Sequence, residues 1–269
     1  MSIDFVFPKG KKKALTFSYD DGVEADLPLA DIFNACGMKG TFNICGSHVG
    51  TKGHLSAEEI RTNLLAKGHE VACHGFRHPF EDQSPAAAVV NDVLEDRKKL
   101  EEVTGGIVRG MAYPFGTYNQ QVIDILKSLG IVYCRATQQE SNTTKIPYGD
   151  GWLAWNPTTH HNGDIVKRIQ PFLESPWGCR LLYIWGHSYE FNNMDNWEVM
   201  EEFCEKMKKR REVWYATNIE IYDYVEASRR LHISANCKMI HNPSAIPVWI
   251  RDTSANKIRE IEPGATITL

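Results

Sequence analysis

The sequence predicts an α/β fold, a distorted (β/α)7–8 barrel that carries a small C-terminal antiparallel β appendage. Short apolar runs alternate seven times with amphipathic stretches of helical period, which is typical of a parallel sheet connected by helices. Histidines and carboxylates follow several of these runs, and the reactive groups of a barrel lie at the carboxyl ends of its strands. The Gly-rich loops of nucleotide-binding open sheets do not occur, so the barrel is the better interpretation.

The hydrophobic period delimits the individual elements. The predicted strands cover residues 14–19, 41–45, 70–73, 109–113, 131–135, 181–185 and 213–216. The predicted helices cover residues 24–35, 56–68, 86–102, 120–129, 164–173, 197–209 and 219–229. A capping box, Ser56-x-x-Glu59, begins the second helix and Gly68 ends it, while Pro85 occupies the first position of the third.

Two regions depart from this rhythm. Residues 136–163 contain Trp152 and Trp155 among several Gly and Pro residues but no clear helical pattern, so we expect a long functional loop. After Arg230 the pattern changes to strands at 231–240, 247–251 and 266–269, separated by Asn-Pro and Pro-Gly turns. We therefore expect a barrel domain of residues 1–230 and a β-rich appendage of residues 231–269 that covers one flank of the barrel.

Composition limits the kinds of partner to expect. A chain of 269 residues with 42% apolar and 24% charged side chains can bury a full core. The formal net charge is only −4 and the basic residues are dispersed, so neither nucleic acid nor a membrane is an expected partner. The N-terminus lacks a signal-peptide pattern and the seven cysteines form no CxxC pair, which favours a cytoplasmic protein with free thiols. The sequence does not define an oligomeric state.

Two of the predicted strand ends carry potential metal ligands. Asp20 and Asp21 follow the first strand, and adjacent side chains there can have different roles, although paired carboxylates before a glycine also occur in ordinary turns. His74 and His78 follow the third strand at a spacing that lets both contact one metal ion. With a carboxylate from another strand they form a two-histidine, one-carboxylate set, which leaves metal positions open for water and substrate.

Two further strand ends carry groups suited to catalysis. His187 follows the run Leu-Leu-Tyr-Ile-Trp-Gly, and a histidine there titrates near neutral pH and can protonate a leaving amine. Tyr113, Pro114 and Phe115 form a turn with Gly116 that can present a backbone N–H to an oxyanion and an aromatic wall to a sugar. Each segment alone also has an ordinary structural explanation, but four such strand ends together indicate a single site.

In their order along the chain, these motifs resemble the polysaccharide deacetylases of carbohydrate esterase family 4, over roughly residues 12–225. The similarity lies in Thr-Phe-Ser-Tyr-Asp-Asp-Gly, His74-x-x-x-His78, Tyr-Pro-Phe-Gly and Leu-Tyr-Ile-Trp-Gly-His. The resemblance implies a distorted barrel with fewer than eight regular units. It also implies that Asp21, His74 and His78 bind one divalent metal ion, expected to be zinc, although Co²⁺, Ni²⁺ or Fe²⁺ suit the same ligands.

The resemblance further implies catalytic roles for three groups. Asp20 would be the general base, His187 the general acid, and the backbone N–H of Phe115 part of an oxyanion hole. The sequence departs from the family at Ala112, where the family usually has an arginine that orients the catalytic aspartate. We expect Arg135, at the end of the next strand, to supply this guanidinium from a neighbouring position. Arg109 is the rival candidate, although it starts its strand at the far end of the barrel.

The expected function is therefore metal-dependent hydrolysis of an amide, with an N-acetylated sugar or polysaccharide as the leading substrate class. Trp152, Trp155 and Tyr113 would supply flat apolar surfaces on which sugar rings stack. Two alternatives remain open at this point: a small non-carbohydrate amide as the substrate of the same metal site, and a carbohydrate-binding protein that has lost turnover. Intact Asp20 and His187 argue against the second alternative, because binding alone needs neither a base nor an acid.

Overall fold

The computed structural model describes residues 3–138, 145–176 and 178–269. The strands are β1 Ile3–Phe5, β2 Lys13–Asp21, β3 Thr41–Ile44, β4 Glu70–Cys73, β5 Gly110–Ala112, β6 Tyr133–Arg135, β7 Thr159–His160, β8 Arg180–Gly186, β9 Val213–Tyr215, β10 His232–Ile233, β11 Met239–His241, β12 Val248–Asp252, β13 Lys257–Ile261 and β14 Thr266–Thr268. The helices are α1 Asp26–Ala35, α2 Ala57–Glu59, α3 Ala86–Thr104, α4 Gln120–Ser128, α5 Ile165–Glu174, α6 Tyr189–Met194, α7 Glu198–Met207 and α8 Asn218–Arg229.

A parallel sheet forms the centre of the molecule, with the strand order β6-β5-β4-β3-β2-β8-β7 and with β9 beside β2. Strand β2 is central to the sheet because it pairs with three strands: with β8 over residues 13–19, with β3 over residues 18–21 and with β9 over residues 13–15. Residues 13–20 of β2 are all buried, as expected for a strand covered on both faces. The carboxyl ends of β2, β3, β4, β5, β6 and β8 consequently share one end of the sheet.

The sheet curls, and its two edges meet through an irregular segment. The N–H of Trp155 donates to the carbonyl of Cys134 at 2.9 Å, and the N–H of Ala136 donates to the carbonyl of Trp155 at 3.0 Å. Four residues after Trp155 the chain enters β7, which pairs with β8. The ring therefore closes through a single bridge between Arg135 and Trp155 rather than a regular strand pair, and the prediction of a distorted barrel is confirmed.

The helices cover the outside of the sheet much as the hydrophobic period predicts. The capping box of Ser56 and Glu59 is present. From there the helix continues through a π-helical stretch, Ile60–Leu64, and a 3-10 turn that ends at Gly68 in the left-handed conformation. Phe17 of β2 stacks on Phe33 of α1 with ring centroids 4.3 Å apart, which attaches the first helix to the central strand. None of the described helices is long and apolar enough to cross a membrane.

The C-terminal region forms two three-stranded antiparallel sheets, in the orders β1-β12-β13 and β10-β11-β14. Their small core contains Ile240, Ile250 and Ile261. The hydroxyl of Tyr224 in α8 donates to the carbonyl of Val6 at 2.8 Å and joins this region to the barrel. Strand β1 belongs to the first of these sheets, so the N-terminal residues pair with the appendage rather than with the barrel.

Candidate active site

Side chains from three strand ends converge at the carboxyl end of the parallel sheet. Asp20 and Asp21 close β2, His74 follows β4 directly, and His187 follows β8. Because β2 pairs with β8 on one side and β3 pairs with β4 on the other, these residues face one another across the sheet end. They line a cleft of about 330 Å³ together with residues from the turn after β5.

Asp21, His74 and His78 offer three ligand atoms that all lie within 4.8 Å of one another. The Oδ1 atom of Asp21 is 3.6 Å from Nε2 of His74 and 3.8 Å from Nε2 of His78. The Nδ1 atom of His74 lies 2.9 Å from the carbonyl of Ala112, so the neutral ring has its proton on Nδ1 and offers the lone pair of Nε2 to a metal ion. Two imidazole nitrogens and a carboxylate oxygen are a donor set suited to zinc or a similar divalent ion.

Two carboxylates of α3 fix the loop that carries both histidines. Asp96 accepts the N–H of His74 at 2.9 Å and that of Gly46 at 2.7 Å, and Asp92 accepts the N–H of Phe76 at 2.7 Å. Burial raises the pKa of Asp96 to about 7 despite these hydrogen bonds. Sequence reasoning missed both carboxylates, because an acidic residue on an amphipathic helix is usually part of its solvated face.

Three residues of the cleft adopt the left-handed conformation that side chains other than glycine rarely occupy. Asp21 has φ 82, His78 has φ 54 and Phe115 has φ 57. Such conformations cost about 1–3 kcal/mol each and concentrate at functional sites. In this chain all three residues line the same cleft.

Asp20 is buried and held by several neighbours. Arg135, which is fully buried, makes an ion pair with Asp20, and Asn43 donates to Asp20 Oδ1 at 2.8 Å. Burial raises the pKa of Asp20, but Arg135, then His74 and His187, and the hydrogen bond from Asn43 together outweigh it and hold the pKa below its ordinary value. Asp20 is therefore an ionised carboxylate next to the candidate metal ligands.

The guanidinium beside Asp20 belongs to Arg135. Its guanidinium carbon also lies 4.6 Å from the centre of the Trp185 ring, a cation–π contact that keeps it at the cleft floor. The rival, Arg109, instead makes a bidentate ion pair with Asp223 of α8.

His187 lies on the other side of Asp20. Its Nε2 is 3.8 Å from Asp20 Oδ2, and its Nδ1 is 3.4 Å from Oε1 of Glu190. Burial lowers the pKa of His187, but Glu190, Asp20 and Asp21 together raise it above the ordinary value. His187 can therefore hold a proton near neutral pH.

The predicted aromatic residues divide between the cleft and the core. Phe115 is half exposed and stacks on Phe80 with ring centroids 3.7 Å apart, at the cleft rim. Tyr113 and Pro114 are buried beneath it, although Tyr113 also lines the cleft. The hydroxyl of Tyr113 donates to the carbonyl of Leu153 at 2.7 Å. Tyr189, which the sequence analysis did not single out, lines the cleft beside His187.

Trp152 and Trp155 do not reach the cleft, so the prediction that they form a sugar-stacking surface is wrong. They are 2% and 1% exposed and pack edge to face in a core cluster with Tyr133 and Tyr183. Residues 149–156 contribute a 3-10 helix and the bridge that closes the barrel instead of an open loop. Residues 139–144 of the predicted functional loop lie outside the described residues.

The fold and the convergent strand ends define a class of proteins: distorted (β/α) barrels with a two-histidine, one-carboxylate cluster at the carboxyl end of the sheet. Residues 8–134 match the model of the polysaccharide deacetylase family. This match covers just under half of the chain and confirms the resemblance drawn from the motifs.

Individual relatives agree with this family. A peptidoglycan-N-acetylglucosamine deacetylase of Listeria monocytogenes is 29% identical over 120 residues, which are 44% of this chain and 25% of that protein. The match thus spans about a quarter of the length of this curated relative.

Two solved structures share the fold. A candidate polysaccharide deacetylase from Mycobacterium smegmatis superposes with a TM-score of 0.63, at 19% identity, over 84% of this chain and 94% of the other. A family 4 acetyl xylan esterase from Clostridium thermocellum, solved in complex with a cobalt ion, superposes with a TM-score of 0.55, at 14% identity, over 78% and 90% of the two chains.

Proposed function

We propose that this protein is a metal-dependent hydrolase that removes the acetyl group from the nitrogen of an N-acetylated sugar. The observation that carries the proposal is the convergence of Asp21, His74 and His78 with an ionised Asp20 and a protonatable His187 around one cleft. A binding site alone requires no base and acid on either side of a metal site.

The residues would divide the reaction between them. Asp21, His74 and His78 would hold the divalent ion, which polarises an amide carbonyl and lowers the pKa of water when it is bound. Asp20, kept ionised by Arg135, would accept the proton of the attacking water. His187 would deliver a proton to the departing nitrogen.

The turn after β5 would complete the site. Phe115 lies at the cleft rim with its backbone in the left-handed conformation. Its N–H would donate to the oxygen that gains charge in the transition state. The exposed ring of the same residue, supported by Phe80, and the ring of Tyr189 offer apolar faces to a sugar. These three residues take over the stacking role that the sequence analysis gave to the tryptophans.

The sugar is the substrate class favoured by the family match and by the peptidoglycan-N-acetylglucosamine deacetylase among the relatives. The direct test measures acetate released from N-acetylglucosamine oligomers by the purified chain. We expect release that stops after treatment with a chelator and returns when zinc is added. Acetate release at an unchanged rate in the chelated protein would exclude the metal mechanism, and no release with any divalent ion would exclude the activity.

A further inference from the structure

Glu190, in the first turn of α6, lies between three histidines. Its Oε2 atom is 3.1 Å from Nε2 of His160 and 3.1 Å from Nε2 of His161. Its Oε1 atom is 3.4 Å from Nδ1 of His187. The three histidines come from the end of β7 and from the loop after β8, so one carboxylate joins two separate strand ends.

His161 is held in place by two aromatic rings and by strand β8. Its side chain is buried, and its ring stacks on Phe191 at 4.2 Å and on Tyr19 at 5.7 Å between centroids. A Cβ atom at Gly186 would lie 2.1 Å from Nδ1 of His161, so only glycine lets the ring approach β8 this closely. The backbone N–H of His161 also donates to the carbonyl of Trp185 at 2.9 Å. His161 is therefore a rigid partner for Glu190.

The protonation of each ring follows from its neighbours. An ionised carboxylate carries no proton of its own, so its proximity favours a proton on each ring nitrogen that faces Glu190. His160 agrees with this assignment, because its Nδ1 lies 3.3 Å from the backbone N–H of Asn162 and acts as the acceptor there. The histidines strongly lower the pKa of Glu190 against the effect of its burial, which keeps the carboxylate ionised.

The same residues also resemble a metal site, because donor atoms of His160, His187 and Glu190 lie within 4.8 Å of one another. A metal ion would need the lone pair of His160 Nε2. The contact with Asn162 makes Nδ1 the acceptor and leaves Nε2 protonated, so ion pairing with Glu190 explains the cluster better than a metal ion does.

We infer that Glu190 is the positioning residue for His187 and that His160 and His161 hold Glu190 in place. Glu190 keeps the proton of His187 on Nδ1, so Nε2 faces Asp20 and the cleft. This inference rests on the proposed function, in which Nε2 of His187 delivers the proton to the leaving nitrogen. Nothing about the role requires Glu190 to touch the substrate.

The charged and titratable groups that face His187 come from three elements and define the expected effect. Asp20 and Asp21 lie on β2, His160 on β7, and Tyr189 and Glu190 on α6. Glu190 is one of three carboxylates that raise the pKa of His187. Replacing Glu190 by a neutral residue removes one of these charges and lowers that pKa.

The experiment compares Glu190→Gln with Glu198→Gln, the same change at an exposed carboxylate that begins α7. Nitrogen NMR of the histidine rings in the zinc-loaded protein measures the tautomer and the pKa of His187 without any need for turnover. Acetate release measures kcat and KM over the same pH range, and elemental analysis counts zinc. If Glu190→Gln does not fold, His161→Phe keeps the stacked ring and removes its Nε2 donor.

In Glu190→Gln we expect the pKa of His187 to fall by about one unit and kcat to fall about 10- to 100-fold. The alkaline limb of the kcat profile should move to lower pH, because His187 must be protonated to act as the acid. KM and zinc content should be unchanged in Glu190→Gln, and Glu198→Gln should behave like the unmodified chain in every measurement. His161→Phe should shift the same limb by a smaller amount.

Two results would overturn the inference. The first is a tautomer and pKa of His187 that stay the same in Glu190→Gln. The second is a second zinc ion per chain that disappears in this variant, since the cluster would then be a metal site. Absence of acetate release from the unmodified chain would refute the proposed function alone, because the NMR measurement still decides the role of Glu190.

Discussion

At the scale of single residues, Asp20 is an ionised carboxylate that is almost completely buried. Burial would neutralise an isolated carboxylate, and its charge persists because the guanidinium of Arg135 and the amide of Asn43 contact it. Removal of one member of a buried ion pair leaves the other without compensation, and this costs far more than the loss of an exposed pair.

The matched pair Arg135→Met and Arg109→Met tests this difference. Arg135 is fully buried, while the ion pair of Arg109 with Asp223 has side chains 35% and 41% exposed. We expect Arg135→Met to lower the free energy of unfolding by about 3–5 kcal/mol and Arg109→Met by about 1 kcal/mol or less. Urea denaturation measures both, and equal losses would show that the Asp20 ion pair is not what stabilises the cleft floor.

At the scale of elements, short turns after the strands determine where the reactive groups lie. The 3-10 turn Pro114–Gly116 follows β5 and holds Phe115 at the cleft rim. A Cβ atom at Gly116 would lie 2.2 Å from Oγ1 of Thr137, and Gly116 also has φ 70. The turn therefore needs glycine for two reasons, its conformation and its close approach to the chain after β6.

Gly105 is the control for the close approach of Gly116 to Thr137. It ends α3 with φ 69, close to the angle of Gly116, but a Cβ atom there would meet nothing within 4 Å. Gly105→Ala should cost about 1 kcal/mol of stability, the conformational penalty alone, and leave acetate release unchanged. Gly116→Ala should cost more and slow acetate release, because the turn must shift and carry Phe115 with it. Thermal unfolding and kcat measurements on both variants compare the two effects, and similar behaviour would contradict the steric argument.

The elements with a strong hydrophobic period could be predicted from sequence. Strands such as β4, at Glu70–Cys73, and helices such as α4, at Gln120–Ser128, match the predicted ranges within a residue or two. Strands β1, β7 and β13 and helix α6 were not predicted. They contain only two to six residues each, and their strand pairings depend on residues far away in the sequence.

The candidate site divides in the same way. Residues in a recognisable motif, such as Asp21 and His78, can be assigned a role from the sequence alone. Glu190 and Asp96 could not, because each acts through a contact that the fold creates. The tryptophans were misassigned because an aromatic residue in a Gly- and Pro-rich segment fits a core and a cleft wall equally well.

At the scale of the whole molecule, several buried carboxyl groups make stability depend on pH. Glu81 is 1% exposed, and its two oxygens have no hydrogen-bond partner among the described residues. Burial, followed by Asp92, Asp96 and Asp82, raises the pKa of Glu81 to about 8, from an ordinary 4.5. This pKa is raised in the folded state, so protonated Glu81 favours folding. Its contribution to the free energy of unfolding is fully present below about pH 4.5 and is lost as the pH rises through about 8.

Glu81→Gln should therefore remove part of this pH dependence. At pH 5 the variant and the unmodified chain should have similar free energies of unfolding, and at pH 9 the variant should be more stable, since glutamine stays neutral. Urea denaturation at both pH values measures the difference, with Glu58→Gln as the control because Glu58 is exposed. A gain of the same size at both pH values would contradict burial of a titrating carboxyl group at this position.

In the proposed mechanism, different residues at the carboxyl end of the sheet bind the metal ion and transfer protons. The most direct test measures zinc content and acetate release together in His74→Ala and Asp20→Asn. His74→Ala should lose both the zinc and the activity. Asp20→Asn should keep one zinc ion per chain and lose turnover by about 10²- to 10⁴-fold, the usual cost of losing a general base. Full activity in Asp20→Asn, or full zinc content in His74→Ala, would contradict the account.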